Sequence, residues 1–462
     1  MHSDAKFNEH IFYGDLRAEN PFEKDFKPVR VLGEGGFGKV LLCASKHNGI
    51  ERAIKVVSRN DYDDKKCSNE VHILKQLNHP NIVRYYGSYE YKSKMFIVTE
   101  YCNGKELLAE IAQNGRLTEK EAQAYFKEIT EALVYLHKKN IVHRDLKPDN
   151  ILIEKDSKLV KIIDFGLSRI TQSTNGRMRS EVGTYSYSAP EVDKGAYSQK
   201  CDIWSVGVIL YLTLCGQLPF TGHTTKELIK HKENFAGFKG YKWERVSKNA
   251  KDFIARCFCK REKDRMSALE ALNHPWLREE ASDEVILDEK LVGQLYAYSK
   301  ECRLVNNIKH FVCALNELQK RDKDLAQLFK RIDTDKSGEI SKEEMIAAYD
   351  DNVEVFRSFN IQRESVGMLF DKLDLDFSGS IDFLEFVVAI KNLAVGLTKK
   401  NLKVAFEELS NNEGFLDLKS LSAALGTDLP EDEWLTVITK YDKDGNGKID
   451  FAEFTEIFHV ED

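Results

Sequence analysis

The sequence has no apolar run long enough to cross a bilayer. Its most continuous stretch, WSVGVILYLTLC from Trp204 to Cys215, falls short of the roughly 20 residues that a spanning helix needs. The N-terminus, MHSDAKFNEH, lacks the apolar core of a signal peptide and the Met-Gly start of a myristoylated chain. The nine cysteines are scattered and contain no C-x-x-C pair, which argues against a zinc or redox site and for reduced, buried thiols. These absences point to a cytoplasmic protein without a membrane anchor, with access to the nucleus and to membrane surfaces left open.

What is present is 462 residues with 42% hydrophobic and 31% charged content, enough for about three domains at the usual 100 to 200 residues each. The net charge of −7 conceals an asymmetry. Residues 321–462 carry 17 Lys and Arg against 31 Asp and Glu, net −14, and residues 1–320 carry 51 against 44, net +7. Opposite charge favours contact between the two parts.

Residues 29–57 alternate apolar and polar positions around glycines, as a β-meander does. From about Leu107 the apolar residues recur every three or four, so helices follow strands. Between 277 and 320, Leu291, Leu295, Tyr298, Cys302, Val305, Ile308, Val312 and Leu315 keep helical spacing and predict one amphipathic helix with an apolar seam. Beyond it a pattern of helix, acidic loop and helix repeats, with loops opening at Asp333, Asp374 and Asp442.

The chemistry of the first part lies in short motifs. LGEGGFGKV sets Gly33, Gly35 and Gly38 between two predicted strands, where the absence of side chains lets backbone amides approach phosphate oxygens. A dinucleotide fold would use such glycines before a helix; here a strand follows. Lys55 in AIK is placed to neutralise phosphates, and Glu70 to hold that lysine by an ion pair. HRDLKPDN at 143–150 and DFG at 164–166 decide the reading. Phosphoryl transfer to a hydroxyl needs a carboxylate to take its proton, Asp145, and oxygen ligands for magnesium, Asn150 and Asp164.

With SAPE at 188–191 and DIWSVG at 202–207, residues 26–276 resemble the eukaryotic protein kinases. The resemblance implies the α+β bilobal kinase fold, ATP and Mg2+ as cofactors, and Val40, Ala53, Thr99 (the gatekeeper) and Glu100 to Cys102 (the hinge) around the nucleotide. It implies that Lys147 sits beside the transferred phosphate with Thr184 as its partner, that serine and threonine are the acceptors, and that Glu191 and Arg265 form a buried ion pair. Glu106 matches a glutamate that receives an arginine of the substrate, so basic protein substrates are expected. Ser180 stands where related kinases are phosphorylated, and either phospho-Ser180 or Glu181 is expected to meet Arg144.

The second part carries three loops, DTDKSGEISKEE, DLDFSGSIDFLE and DKDGNGKIDFAE, which fit the 12-residue EF-hand pattern of oxygen ligands, glycine at position 6 and glutamate at position 12. The expected calcium ligands are Asp333, Asp335, Ser337, Glu339 and Glu344; Asp374, Asp376, Ser378, Ser380 and Glu385; and Asp442, Asp444, Asn446, Lys448 and Glu453, with positions 7 acting through their carbonyls. Position 9 is Ser341 in the first loop but Asp382 and Asp450 in the others, so the first loop is expected to bind most weakly. SNNEGFLDLKS at 410–420 occupies the place of a further copy, one residue short and without the anchoring Asp and Glu, and is expected to hold no ion.

From about residue 26 the whole chain resembles the calcium-dependent protein kinases of plants and apicomplexan protists. Its expected organisation is an N-terminal extension (1–25), a kinase domain (26–276), a junction segment (277–320) and an all-α, calmodulin-like EF-hand domain of two lobes (321–393 and 399–462). That resemblance implies a Ca2+ switch acting by contact between the EF-hand module and the kinase, autoinhibited without calcium; the degenerate loop departs from the family, so three ions are expected, in a monomer with no nucleic-acid partner. Lys300, Arg303 and Lys309 are candidates for contact with acidic surface.

Overall fold

In the computed structural model, residues 24–35, 38–58, 61–91, 93–170, 185–192, 198–222, 224–278, 287–315, 323–391, 397–410, 413–425 and 431–458 are described. Ser180, Glu181 and Thr184 lie outside them. The chain divides into two compact units, one from residues 1–59, 85–101 and 283–462 and the other from 60–84 and 102–282.

In the first unit, β1 (Phe26–Gly35), β2 (Gly38–Ser45) and β3 (Glu51–Ser58) form the antiparallel meander that the alternation predicts. Two further strands that belong to this sheet, Tyr85–Tyr91 and Lys94–Glu100, follow the helix α1 (Asp61–Leu74) in the chain and are β4 and β5. The strand order is β1-β2-β3-β5-β4. Phe26, Cys43, Ile54, Tyr86, Tyr89, Phe96 and Val98 form a compact apolar cluster on it.

The second unit is mainly helical. β6 (Gly104–Glu106) is followed by α2 (Leu107–Asn114) and α3 (Glu119–Lys138), the latter started by a reciprocal capping box between Thr118 and Glu121. Short strands β7 (Ile141–Val142), β8 (Ile151–Glu154), β9 (Val160–Ile162) and β10 (Arg169–Ile170) pair as β6-β8-β9 and β7-β10. The apolar stretch that was too short to span a membrane is α4 (Lys200–Cys215), buried on nearly every side, as a helix hydrophobic all round must be. No helix among the described residues is long and apolar enough to cross a membrane. Three more helices, α5 (Thr225–Glu233), α6 (Lys248–Cys257) and α7 (Ala268–Leu272), complete the unit.

The junction differs from the sequence expectation. It forms two helices, α8 (Glu289–Lys300) and α9 (Arg303–Leu315), because Glu301 is extended at ψ 155°. The extended residue turns the apolar seam of each helix onto the same acidic module. α10 (Lys323–Ile332), α11 (Lys342–Asp351), α12 (Val353–Ser358), α13 (Val366–Leu373) and α14 (Phe383–Ile390) build one part of that module. The rest is α15 (Lys399–Leu409), α16 (Leu418–Leu425), α17 (Glu431–Tyr441) and α18 (Phe451–Glu456). Val292, Leu295, Tyr298, Leu304, Ile308 and Phe311 of the junction share one continuous core with them.

Candidate functional site

The glycine-rich turn joins β1 to β2, with Gly33 opposite Val40 and Gly35 opposite Gly38. Gly38 has φ +115°, and a Cβ there would lie 2.2 Å from the Val56 carbonyl oxygen. Only glycine fits. Lys55 stands on β3 across from Val40, and two residues earlier on the same strand Ala53 faces Thr99 of β5, whose Oγ1 donates to the Ala53 carbonyl at 3.2 Å. The predicted phosphate, adenine and gatekeeper positions thus share one sheet. Glu100 is buried at the end of β5.

The second unit gathers the residues expected to be catalytic. Asp145 is 3% exposed; its Oδ2 meets Lys147 Nζ at 3.1 Å and accepts from Asn150 Nδ2 at 3.3 Å. The same amide donates to the Asp145 carbonyl at 2.8 Å. Asp145 Oδ1 is buried and has no hydrogen-bond partner among the described residues, which leaves one carboxylate oxygen for an incoming hydroxyl. Burial pushes the Asp145 carboxyl up, opposed chiefly by the charges of Lys147 and His143.

Asp164 sits at φ +61°, an uncommon conformation for a residue with a side chain, and its Oδ1 accepts from Gly166 N at 3.3 Å. Ile163 N donates to Asn150 O at 2.9 Å, so the two predicted magnesium ligands lie on adjoining, bonded segments. Phe165 is fully buried with its ring edge against His143 at 5.0 Å. Glu70 is buried on α1, and its neighbour Asn69 donates to the Ser168 carbonyl at 2.8 Å. Cys102 is buried and its carbonyl accepts from Gly104 N at 3.0 Å.

One residue that organises the segment before Asp145 went unassigned at the sequence level. Asp202, wholly buried on α4, accepts from the amides of His143 at 2.9 Å and Arg144 at 2.8 Å and from His137 Nε2 at 3.0 Å. It holds the backbone of the catalytic loop. Burial would raise its carboxyl, but the His137 bond and charge, with His143 and the Arg144 amide, bring it below the ordinary carboxylate range. Arg265 is buried and forks onto both oxygens of Glu191, the second bond at 3.1 Å, as the kinase resemblance implies.

In the acidic module, three sets of carboxylates converge: Asp333, Asp335 and Glu344; Asp374, Asp376 and Glu385; Asp442, Asp444 and Glu453. Within each set one oxygen per residue lies within 4.8 Å of the others. Gly338, Gly379 and Gly447 all take positive φ, between +76° and +85°, at position 6. The Asp at position 1 accepts from that glycine's amide in each loop, at 2.8 to 2.9 Å. The pre-folded ring of oxygens suits a hard cation that takes six to eight oxygen ligands. Burial drives the carboxyl of Asp333 up to about 7 and raises those of Asp374 and Glu385, a penalty on the charged form that a bound cation offsets. Asp442 is the exception: desolvation would raise its carboxyl, but hydrogen bonds from the amides of Gly447, Gly445 and Asn446 and with the Asp444 side chain together hold it low.

The stretch 410–420 has the frame of such a loop without its acids. Gly414 has φ +82°, and Leu416 exchanges hydrogen bonds with Ile449 at 2.8 and 3.0 Å, as Ile340 does with Ile381. Ser410 and Ser420 spend their hydroxyls on local backbone carbonyls. Asn412 lies outside the described residues.

The three junction cations go to different places. Lys300 lies over Tyr296 at 4.6 Å, Arg303 reaches the second loop, and Lys309 is largely buried, which lowers its ammonium's pKa. At the end of α9 the Leu315 carbonyl accepts from Arg52 of β3 at 3.3 Å, so the junction touches the nucleotide-binding sheet beside Ala53. Arg52 is buried and packs over Tyr86 at 3.9 Å.

The chain matches the protein kinase domain over residues 26–277, an EF-hand domain pair over 322–391 and an EF hand domain over 433–460. It is 33% identical over 459 residues to calcium-dependent protein kinase 4 of Plasmodium berghei (strain Anka), covering 94% of this chain and 86% of that protein. Against calcium-dependent protein kinase 4 of Plasmodium falciparum (isolate 3D7) the identity is 32% over 460 residues, with the same coverage. Calcium-dependent protein kinase 3 of Plasmodium berghei is 33% identical over 446 residues, 93% of this chain and 79% of that protein. A protein kinase domain followed by EF-hands in the same chain, with relatives about a third identical over 94% of it, places this protein among the calcium-dependent protein kinases, calcium-activated enzymes that phosphorylate serine and threonine.

Proposed function

We propose a division of labour among named residues. Asp145 accepts the proton of the substrate hydroxyl through its unpartnered Oδ1, Lys147 offsets charge on the transferred phosphoryl group, and Asn150 and Asp164 hold Mg2+. Magnesium, when bound, neutralises charge on the ATP phosphates. The backbone at Gly33, Gly35 and Gly38 and the Lys55 ammonium cradle those phosphates. Val40, Ala53, Thr99, Glu100 and Cys102 contact the nucleoside, and Glu70 positions Lys55. The observation that carries this reading is the Asp145 carboxylate, held by Lys147 and Asn150 on one oxygen and, among the described residues, without a hydrogen bond on the other.

Glu106 receives a basic residue of the substrate. Its carboxyl is raised by burial and by the nearby charge of Asp149, and a cation there relieves both. Three Ca2+ ions occupy the loops at 333–344, 374–385 and 442–453, and none occupies 410–420. Calcium, when bound, would supply the positive charge that offsets the carboxylates gathered in each ring. Without it, the junction and module hold the kinase inactive; the Arg52 bond to Leu315 and the opposite net charges of the two parts support such an intramolecular restraint. The chain acts as a monomer in the cytoplasm, in keeping with a junction whose apolar face is covered by its own module.

The test is phosphorylation of a basic Ser/Thr peptide by the purified chain with Mg-ATP, in calcium and in chelator, beside Asp164→Ala. Transfer in calcium only, abolished by Asp164→Ala, supports the reading. Equal transfer in both conditions overturns the restraint.

A further inference from the structure

Arg303 opens α9 just after the break at Glu301, and although the carboxylates of Glu433, Asp374 and Glu385 lie near enough to act on its charge, its guanidinium spends its hydrogen bonds on backbone. Its Nη2 donates to the backbone carbonyls of Asp374, at 3.1 Å, and Leu375. Its carbon lies 3.4 Å from the centroid of the Phe377 ring. These are positions 1, 2 and 4 of the second calcium loop. An ion in such a loop uses the position 1 side chain and the carbonyl of position 7, so Arg303 grips carbonyls that the ion leaves alone. Phe377 has φ +56°, as position 4 of the loop geometry requires (Lys336 has +56° and Gly445 +72° in the other two), and the guanidinium stacked on its ring covers this one position 4 side chain. From the same joint the Tyr298 ring is buried, close enough to the closing ligand Glu385 to feel its charge.

We propose that Arg303 is a positioning residue that couples the second calcium loop to the junction: by fixing the opening carbonyls and Phe377 it holds the loop in its ion-binding form only while α9 is docked. Coupling of this kind is reciprocal. The loop binds its ion more tightly when α9 is in place, and α9 is held more firmly when the loop is loaded. The inference rests on loop 374–385 being a calcium site. Arg303 also adds positive charge near that site, and charge alone acts in the opposite direction, weakening the ion. Arg303→Lys separates the two effects because it keeps the charge and loses the planar fork.

The experiment is calcium titration of the full-length chain by calorimetry, with hydrogen exchange of residues 303–315 read at the same calcium concentrations. Arg303→Gln and Arg303→Lys are each expected to weaken one site about five-fold, the lower end of the usual coupling range, with the remaining sites within two-fold. Exchange across 303–315 should quicken in both variants. In a Glu385→Gln chain, Arg303→Gln should change neither the remaining affinities nor the exchange. Tighter binding in Arg303→Gln, equal weakening of every site, or an effect that persists in Glu385→Gln overturns the coupling. Equal ion counts in the wild-type and Glu385→Gln chains overturn the calcium assignment of the loop, and the inference with it.

Discussion

The amide of Arg144 donates to Asp202 Oδ1 at 2.8 Å, across 58 residues of sequence, and fixes the backbone immediately before the catalytic aspartate. Arg144 is itself at φ +71°, so the bond holds a conformation that the chain would not choose alone.

Asp202→Asn should therefore damage both stability and catalysis. An amide offers one acceptor oxygen where the carboxylate serves three donors, and its NH2 would face an N–H. A loss of about 3 kcal/mol in urea unfolding is expected, as for one partner removed from a buried charged network. The pH dependence has a definite sign. Because the Asp202 carboxyl is held low in the fold, its contribution is present above the unfolded value of about 3.9 and is lost as pH falls through the folded one. The gap between wild type and Asp202→Asn should narrow as the medium is acidified below about pH 4.

Asp145→Asn should lower kcat by about 10²- to 10⁴-fold, the usual contribution of a general base, with KM for ATP little changed. A comparable rise in KM would assign Asp145 to nucleotide binding instead. Steady-state kinetics with a serine peptide decide the matter.

Arg265→Met removes the fork that neutralises Glu191 and leaves a carboxylate with little solvent around it. Unfolding should become easier by about 3 kcal/mol, while the affinity of folded protein for ATP stays near wild type. Denaturation and nucleotide titration of the same preparation separate the two effects.

Among the calcium loops, Glu385→Gln should cost more calcium affinity than Glu344→Gln. Ser341, at position 9 of the first loop, uses its hydroxyl to cap α11 and to bond Glu344, whereas Asp382 keeps a carboxylate at that position. A larger shift for Glu344→Gln would reverse the ranking.

How far the chain could be read in advance follows from where its physical constraints lie. HRDLKPDN, DFG and the three acidic loops are legible because each reaction or ion needs given residue types at fixed spacing. The division of the junction is not legible: Leu295, Tyr298, Cys302 and Val305 keep three- and four-residue spacing straight through the break at Glu301, so periodicity cannot report an extended residue there. Nor can it show that Asp202, in an apolar helix, serves amides 58 and 59 residues away. Arg303 was recognisable as a cation of the junction, but its partners are backbone carbonyls, which leave no mark in side-chain sequence.

Calcium control by the chain's own loops is tested most directly by the initial rate of peptide phosphorylation, in calcium and in chelator, for wild type and for a variant carrying Glu344→Gln, Glu385→Gln and Glu453→Gln together. Calcium should raise the wild-type rate at least ten-fold and leave the triple variant at the chelator rate, about 1.4 kcal/mol or more of control lost with three side-chain oxygens. A triple variant that still responds to calcium in full would contradict it.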